Sequence, residues 1–314
     1  MKNLLSRSLA GLDRFFFESC DPRIVPVLRI AFGLLALVNT SVWIVDASQW
    51  FTDAGVLTAE SAQIVNEHRR WSLLFWLPST NGIVYGCLGL MVIHCLLLMF
   101  GCWSRFQAAC IFVWLVSFQH RNPLICDGED TVFRTMAFLM IFLPLDTGWS
   151  FSRSWSKHQL LVSRMGDAWA LRLLQIQVSL IYASAAWNKF QGDTWRDGTA
   201  LYYVAKMGDH FGRLPLPVWV FETEWLVKIL TWSVLGIESL LPIALWWRPT
   251  RLAAIAVGVG LHLGIEATMH LFLFQYIMMV GLLSFLDFKL LGLGLTSRAY
   301  GKGTTTTMSF HRTQ

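Results

Sequence analysis

The sequence predicts an all-α fold, a polytopic membrane helix bundle of about eight transmembrane helices with an interfacial amphipathic helix at its N-terminus. Composition is the first observation behind this prediction, because 55% of the 314 residues are hydrophobic and only 14% are charged, whereas soluble domains carry about 25% charged residues. The second is a series of long apolar segments. The third is that many of the 16 tryptophans lie near segment ends, where membrane interfaces favour them.

The N-terminal segment is predicted to form a helix that lies along the membrane surface. Its apolar side chains share one helical face and its charged side chains lie elsewhere, as in interfacial helices; the apolar residues are Leu4, Leu5, Leu9, Leu12, Phe15 and Phe16. No apolar stretch in this segment precedes a small-residue cleavage site, so it does not resemble a cleavable signal peptide.

Eight apolar segments follow, each close to the roughly 20 residues that cross a bilayer. The third and fourth are short, and only three residues separate the last two, so seven to nine helices would fit the pattern. The predicted spans are 23–45, 80–101, 104–120, 131–148, 169–189, 225–247, 250–268 and 270–288.

Residues 1–290 are predicted to form one membrane domain, followed by a polar and disordered tail at 291–314. Lys and Arg are more frequent in the loops that would be cytosolic if the N-terminus is inside, which predicts that both termini are cytosolic. Because these basic residues are scattered over loops, the net charge of +5 indicates topology and not nucleic-acid binding. This orientation brings Lys189 and the segments 46–79, 121–130 and 190–224 to the outer face.

Lys189 is the first candidate for a chemical role. It ends the apolar run 180–190 and precedes a polar, aromatic segment at 193–203. One interpretation is a lysine that extends to the interface and anchors its helix. The other is a base in an apolar hollow, which disfavours the charged form of an amine. The neighbouring Asn188 would orient a substrate oxygen or bind the last carbonyls of the helix.

Four parts of the chain, in order, resemble the HTTM family, the membrane domain shared with vitamin K-dependent γ-carboxylase. The likeness covers about residues 15–290, and its most specific part is Asn188-Lys189 followed by Trp195-Arg196-Asp197-Gly198. The four parts are 29–34 with 51–57, 121–124 with 127–128, 188–203, and 262–263 with 274–279.

The resemblance implies a membrane enzyme in which Lys189 is the base that deprotonates reduced vitamin K or another quinol. Dioxygen and carbon dioxide are co-substrates if the whole mechanism transfers. His262 then corresponds to an active-site histidine, and His120 is a further counterpart of a family histidine. Many family members are bacterial, so the bacterial plasma membrane is the expected location, with the active site facing outward.

The resemblance also implies a substrate-binding group around the base. Asn188 and Asn122 would bind or orient the substrate, and Trp195 and Tyr202 would stack on a flat ring. The alternative for the two aromatic residues is anchoring at the interface. The expected partners are membrane lipids and a secreted or membrane peptide substrate.

His262, Glu266 and His270 follow one another at intervals of four residues, on one helical face. His94 or Glu238 from other helices would be needed to complete a metal site. The spacing extends over about 12 Å, too far for all three side chains to hold one ion. Hydrogen bonding between helices is the favoured interpretation, and no metal is predicted.

Three functional hypotheses remain open at this point. The first is the carboxylase-like enzyme. The second is a non-catalytic membrane protein that binds lipid or assists maturation of a secreted partner, because the large lumenal region of the vertebrate carboxylase is not expected in this chain. The third is a transporter, which should depend on mid-membrane acids such as Glu238 and Glu266 and not on Lys189.

Overall fold

The structure is a computed structural model that describes residues 2–17, 23–67, 69–146, 150, 168–207, 212–214 and 218–287. All regular secondary structure in these ranges is helical, which confirms the predicted all-α class. The predicted tail at 291–314 lies outside the described residues.

The described helices begin and end close to the limits of the apolar segments. Two 3-10 turns, Leu73–Phe75 and Pro123–Ile125, lie in the connections before Asn81–Phe100 and before Gly128–Met140. In chain order the helices are α1 Lys2–Phe17, α2 Ile24–Val45, α3 Ala47–Phe51, α4 Ala59–Val65, α5 Asn81–Phe100, α6 Ser104–Arg121, α7 Gly128–Met140, α8 Ala168–Gln191, α9 Asp193–Arg196, α10 Ala200–Lys206, α11 Val218–Glu222, α12 Glu224–Ala244, α13 Arg251–Thr268 and α14 Phe274–Leu283.

Each of the eight predicted spans contains a helix, but only α2, α5, α12 and α13 among the described helices are both long and apolar enough to cross a membrane. These four indicate an integral membrane protein. The predicted count of about eight stays a prediction, as do the orientation and the identity of the membrane. Helix α7 ends at Met140, short of the predicted 148, because Pro144 excludes a helical conformation for the residue before it.

The long helices pack in two groups. Helices α2, α5, α6 and α7 contact one another in chain order, and α8 packs along α12, which contacts α13 and then α14. Helix α14 joins the groups, because it also packs against α2, α7 and α8. A close approach at Gly281 allows this, since a Cβ there would lie 2.8 Å from a methyl carbon of Val178.

Short elements cover one end of each group. Helices α3 and α4 and the first 3-10 turn pack on α5 and α6, while α9 and α10 pack on α8 and α12. At the other end α1 contacts α8. A helical N-terminal segment is therefore confirmed, whereas its predicted position in the membrane interface stays a prediction.

Candidate functional site

Lys189 forms an ion pair with Glu238 between α8 and α12. Its Nζ donates to both carboxylate oxygens, at 2.8 Å and 2.6 Å. The Glu238 side chain is only 7% exposed and that of Lys189 is 23% exposed. A carboxylate buried to this degree requires a partner that offsets its charge. The two side chains therefore act as one unit, and we call them the Lys189–Glu238 pair.

Trp195 covers the pair from the segment that follows α8. The lysine Nζ lies 5.1 Å from the centre of the Trp195 ring, a distance at which the ring face attracts a cation. The indole is half-buried. The structure thus brings together two of the residues that the sequence predicted for the site.

Gly198 fixes the position of the segment that carries Trp195. Its φ is +83°, and a Cβ at this residue would lie 2.8 Å from Cγ of Lys228 and 3.1 Å from the Trp232 ring. Only glycine adopts this conformation without strain and leaves the space for α12. Asp197 accepts hydrogen bonds from the hydroxyl and the backbone N–H of Thr199, and these bonds lower the pKa of Asp197.

His262 belongs to a buried hydrogen-bond chain that crosses three helices. Its Nε2 lies 2.6 Å from the hydroxyl of Tyr182, and its Nδ1 lies 2.5 Å from Oε1 of Gln275. All three side chains are at most 3% exposed. Because an amide oxygen only accepts, Nδ1 of His262 carries a proton. In a neutral imidazole Nε2 then accepts from the hydroxyl of Tyr182, and the two bonds fix one tautomer.

The Lys189–Glu238 pair and the His262 chain are neighbours. Tyr182 precedes Lys189 by seven residues, about two helical turns, so the two side chains share a face of α8. Tyr182 lies within electrostatic range of Glu238, and His262 lies within range of Lys189. Helices α8, α12, α13 and α14 thus bring an ion pair, a phenol and an imidazole to one region.

Asn188 and Tyr202 lie on the surface beside this region. Asn188 is exposed on α8. Tyr202 is 39% exposed, and its ring lies 5.3 Å from Nζ of Lys206 and in edge contact with Tyr203. Neither residue makes a described contact with Lys189. Their predicted binding roles stay predictions and would require a ligand that extends beyond the pair.

His120 lies at the end of α6, in the other helix group. Its Nδ1 is 2.7 Å from the carbonyl oxygen of Trp71, and its Nε2 is 3.5 Å from Nη1 of Arg134. These contacts connect α6 to α7 and to the segment before α5. The structure does not bring His120 into described contact with Lys189 or His262.

Asn122 has a structural position. It is fully buried, its Nδ2 donates to the carbonyl of Trp50, and its Oδ1 accepts from the N–H of Leu124. The preceding Arg121 is also fully buried and donates to Asp53 and to the carbonyl of Leu57. Both side chains attach the segment after α2 to the end of α6, and the predicted substrate contact of Asn122 would need that attachment to open.

Glu266 pairs with Arg213 one turn beyond His262. The Arg213 guanidinium donates to one carboxylate oxygen, which also accepts from Tyr276 at 3.3 Å and lies 3.5 Å from Nδ1 of His270. The predicted His-Glu-His face is therefore divided, because His262 contacts Tyr182 while Glu266 contacts the segment around Arg213. In the described part of the chain, no three His, Cys, Asp or Glu residues are grouped to hold a metal ion.

Glu129 joins the two helix groups and was not among the site residues that the sequence predicted. It lies in the first turn of α7, before the predicted span, and is 5% exposed. One carboxylate oxygen accepts from the N–H of Leu273, the residue that precedes α14. Burial, together with the neighbouring carboxylates of Asp127 and Asp130, raises the pKa of Glu129 to about 8.

The sequence missed the partners of its two best candidates. Glu238 was considered only as a mid-membrane acid and as a residue that could complete a metal site, and Tyr182 and Gln275 were given no role. The seven-residue spacing of Tyr182 and Lys189 indicates that both side chains lie on one face of a helix, and this could have been read from the sequence. No local pattern indicates the contacts between α8, α12 and α14. The transporter hypothesis required dependence on Glu238 and independence from Lys189. Because the two residues are in contact, substitutions at either one no longer separate that hypothesis from the others.

Comparison with known proteins gives one family match and two bacterial relatives. The HTTM domain family matches residues 17–289. A region of 195 residues is 25% identical to "Uncharacterized protein YitO" of Bacillus subtilis (strain 168), covering 58% of this chain and 62% of that protein. A region of 182 residues is 25% identical to "Sporulation-delaying protein SdpB" of the same strain, covering 55% and 54%. The chain thus spans little more than half of these relatives, and no solved structure matches it.

Proposed function

Because this chain belongs to the HTTM domain family, the domain family found in vitamin K-dependent gamma-carboxylase, we propose that it is a membrane enzyme that removes a proton from a quinol-like substrate. The Lys189–Glu238 pair takes the proton. The observation that carries the proposal is the double contact of Nζ with the buried carboxylate, at 2.6 Å and 2.8 Å, beneath the Trp195 ring.

The pair accepts the proton without a change in the net charge of the site. The ammonium of Lys189 first returns a proton to the carboxylate, which leaves an amine and a neutral carboxylic acid. The amine then takes the proton of the substrate hydroxyl, so the ammonium reforms beside the substrate oxyanion. The substrate anion replaces the Glu238 carboxylate as the counterion, and no additional charge has to be buried.

The His262 chain has a positioning role in this proposal. A neutral imidazole would hold the hydroxyl of Tyr182 in one direction, and Tyr182 also lies within electrostatic range of Glu238. Fixed dipoles of this kind favour the developing anion because they do not have to reorganise. Dioxygen and carbon dioxide, the co-substrates that the resemblance implies, would react after the proton transfer and are not needed for it.

The test uses purified protein in lipid nanodiscs and a naphthohydroquinone with an isoprenoid tail. Binding is measured without oxygen as a shift in melting temperature, and turnover is measured in air as loss of the quinol absorbance. Lys189→Met and Glu238→Gln should each lower turnover by about 100-fold or more, a typical loss when a general base is removed.

The matched control is Glu224→Gln on the same helix α12, which breaks the Lys228–Glu224 ion pair; the paired atoms lie 2.6 Å apart and the Glu224 side chain is 80% exposed. This variant should leave turnover close to that of the wild type. The proposal fails if the quinol neither shifts the melting temperature of the wild type nor is consumed by it. It also fails if a normally folded Lys189→Ala protein retains full activity.

A second candidate is a non-catalytic protein that binds lipid or assists maturation of a secreted partner. The observation that favours it is that the polar side chains satisfy one another, since both carboxylate oxygens of Glu238 and both ring nitrogens of His262 are engaged. Such contacts stabilise helix bundles without a ligand. This candidate predicts that Lys189→Met lowers the stability of the protein. The fraction of the variant that is folded should still bind lipid or assist the partner as the wild type does.

A further inference from the structure

Three arginines gather at the end of the bundle where α1 packs. Arg172 lies in the first turns of α8, and Arg248 and Arg251 lie at the junction of α12 and α13. Both Arg172 and Arg248 are within electrostatic range of Arg251. Like charges within this range repel one another, so a negative partner would stabilise the cluster.

Trp246 holds two of the arginines in place. The guanidinium carbon of Arg172 lies 5.9 Å from the centre of the Trp246 ring, and Nη2 of Arg251 donates to the Trp246 carbonyl at 3.3 Å. Arg251 also donates from Nε to the carbonyl of Leu245. The two guanidinium groups are therefore ordered by neutral partners, and their positions do not depend on an acid.

The described residues do not supply a matching negative charge. Asp287 is the acid in electrostatic range of Arg251, and no described carboxylate forms an ion pair with Arg172, Arg248 or Arg251. Arg172 uses one N–H for the carbonyl of Phe15 and one for Gln175. Since a guanidinium has five N–H donors, each arginine retains donors for another acceptor.

The surroundings of the cluster are those of a membrane interface. Trp247 is 63% exposed and Phe17, at the end of α1, is 54% exposed. The Phe15 ring packs 5.3 Å from Trp246 and under Arg172. Exposed aromatic side chains beside arginines fit the level of lipid headgroups, where apolar chains and phosphates meet. A soluble anion would not contact the exposed apolar side chains of Phe17 and Trp247.

We infer that Arg172, Arg248 and Arg251 bind the phosphate of an anionic phospholipid headgroup, with Trp247 and the end of α1 contacting its acyl chains. The planar guanidinium fork matches phosphate oxygens in pairs. A net negative headgroup, such as that of phosphatidylglycerol, offsets the repulsion among the arginines better than a zwitterionic headgroup does. This inference is independent of the proposed enzymatic function.

The experiment compares lipids on the full-length protein. Purified protein is transferred to nanodiscs of phosphatidylcholine with or without phosphatidylglycerol, and melting temperature and co-purified phosphatidylglycerol are measured. Wild type should melt at a higher temperature with phosphatidylglycerol. Arg248→Gln should bind it about fivefold more weakly, the effect of about one basic residue near an anionic membrane surface.

Arg248→Gln is the first variant because Arg248 is exposed and its loss leaves the bonds of Trp246 intact. Arg251→Lys is the second, and it should keep part of the affinity because charge is retained while the fork is lost. The matched control is Arg70→Gln, an exposed arginine at the other end of the bundle. This control should bind phosphatidylglycerol as the wild type does.

A separate arm tests free phosphate as the ligand. Inorganic phosphate added to protein in phosphatidylcholine nanodiscs should not raise the melting temperature. Equal stabilisation by phosphate and by phosphatidylglycerol would overturn the lipid assignment. Equal loss of phosphatidylglycerol in Arg70→Gln and Arg248→Gln would overturn the site, because it would reduce the effect to net charge.

Discussion

Lys189 and Glu238, 49 residues apart in the chain, meet through Nζ and both carboxylate oxygens. The contact accounts for the buried Glu238 side chain, because a carboxylate that is only 7% exposed requires a partner that offsets its charge. Their contact also joins α8 to α12, so the pair has consequences for stability that are separable from chemistry.

The first prediction concerns this stability. Glu238→Gln leaves the Lys189 charge without its counterion and should lower the free energy of unfolding by roughly 2–4 kcal/mol. The double variant Lys189→Met with Glu238→Gln removes both charges and should recover much of the loss. Reversible unfolding in mixed micelles measures both, and equal losses in the single and double variants would contradict a coupled pair.

Tyr182→Phe tests the buried hydrogen-bond chain. The variant keeps the ring but leaves Nε2 of His262 without a donor, which should cost about 1–3 kcal/mol. Tyr203→Phe is the control, since Tyr203 is 54% exposed and its hydroxyl is free to meet water. A Tyr182→Phe protein as stable as this control would show that the chain contributes nothing to the fold.

Gly198→Ala tests the docking of the segment after α8. Alanine at this position would have to keep a φ near +83°, and its Cβ would approach Lys228 and Trp232. We therefore expect the free energy of unfolding to fall by about 1–2 kcal/mol and Trp195 to move away from Lys189. Gly236→Ala in α12 is the control, because a Cβ there meets nothing within 4 Å and alanine favours a helix. Trp195 fluorescence in a background lacking other nearby tryptophans reports the movement.

Glu129 predicts a dependence of stability on pH. Its carboxyl has a raised pKa of about 8 in the fold against 4.5 ordinarily, so the folded protein holds a proton that the unfolded chain releases between these values. Stability should therefore be highest below about pH 4.5 for this group and fall as the pH rises to about 8, by on the order of 5 kcal/mol.

Glu129→Gln stays neutral and keeps an oxygen for the N–H of Leu273, so its melting temperature should be flatter across the same pH range. Glu60→Gln, an exposed glutamate in the first turn of α4, is the control and should follow the wild type. A wild-type profile that rises with pH between 5 and 8, and that Glu129→Gln leaves unchanged, would contradict the assignment.

Local pattern was sufficient for the helices and insufficient for their partners. Helix α2 lies within one residue of the predicted 23–45, because an uninterrupted apolar run has no other way to satisfy its backbone in a membrane. Helix α7 ends before the predicted 148, because the prediction followed hydropathy and took no account of Pro144, which disfavours a helical conformation in the residue before it. Lys189 and Trp195 were chosen correctly as neighbours, since only a few residues separate them.

The sequence by itself determined that this protein is helical and apolar enough for a membrane, that Lys189 lies at the end of an apolar segment, and to which family it is similar. Only the tertiary structure decided that Glu238 is the partner of Lys189, that His262 is fixed by Tyr182 and Gln275, and that Arg172 and Arg251 meet at Trp246. The physical reason is range. Hydropathy and helix formation act over a few residues, whereas charge compensation depends on distances between helices that the packing of the whole bundle sets.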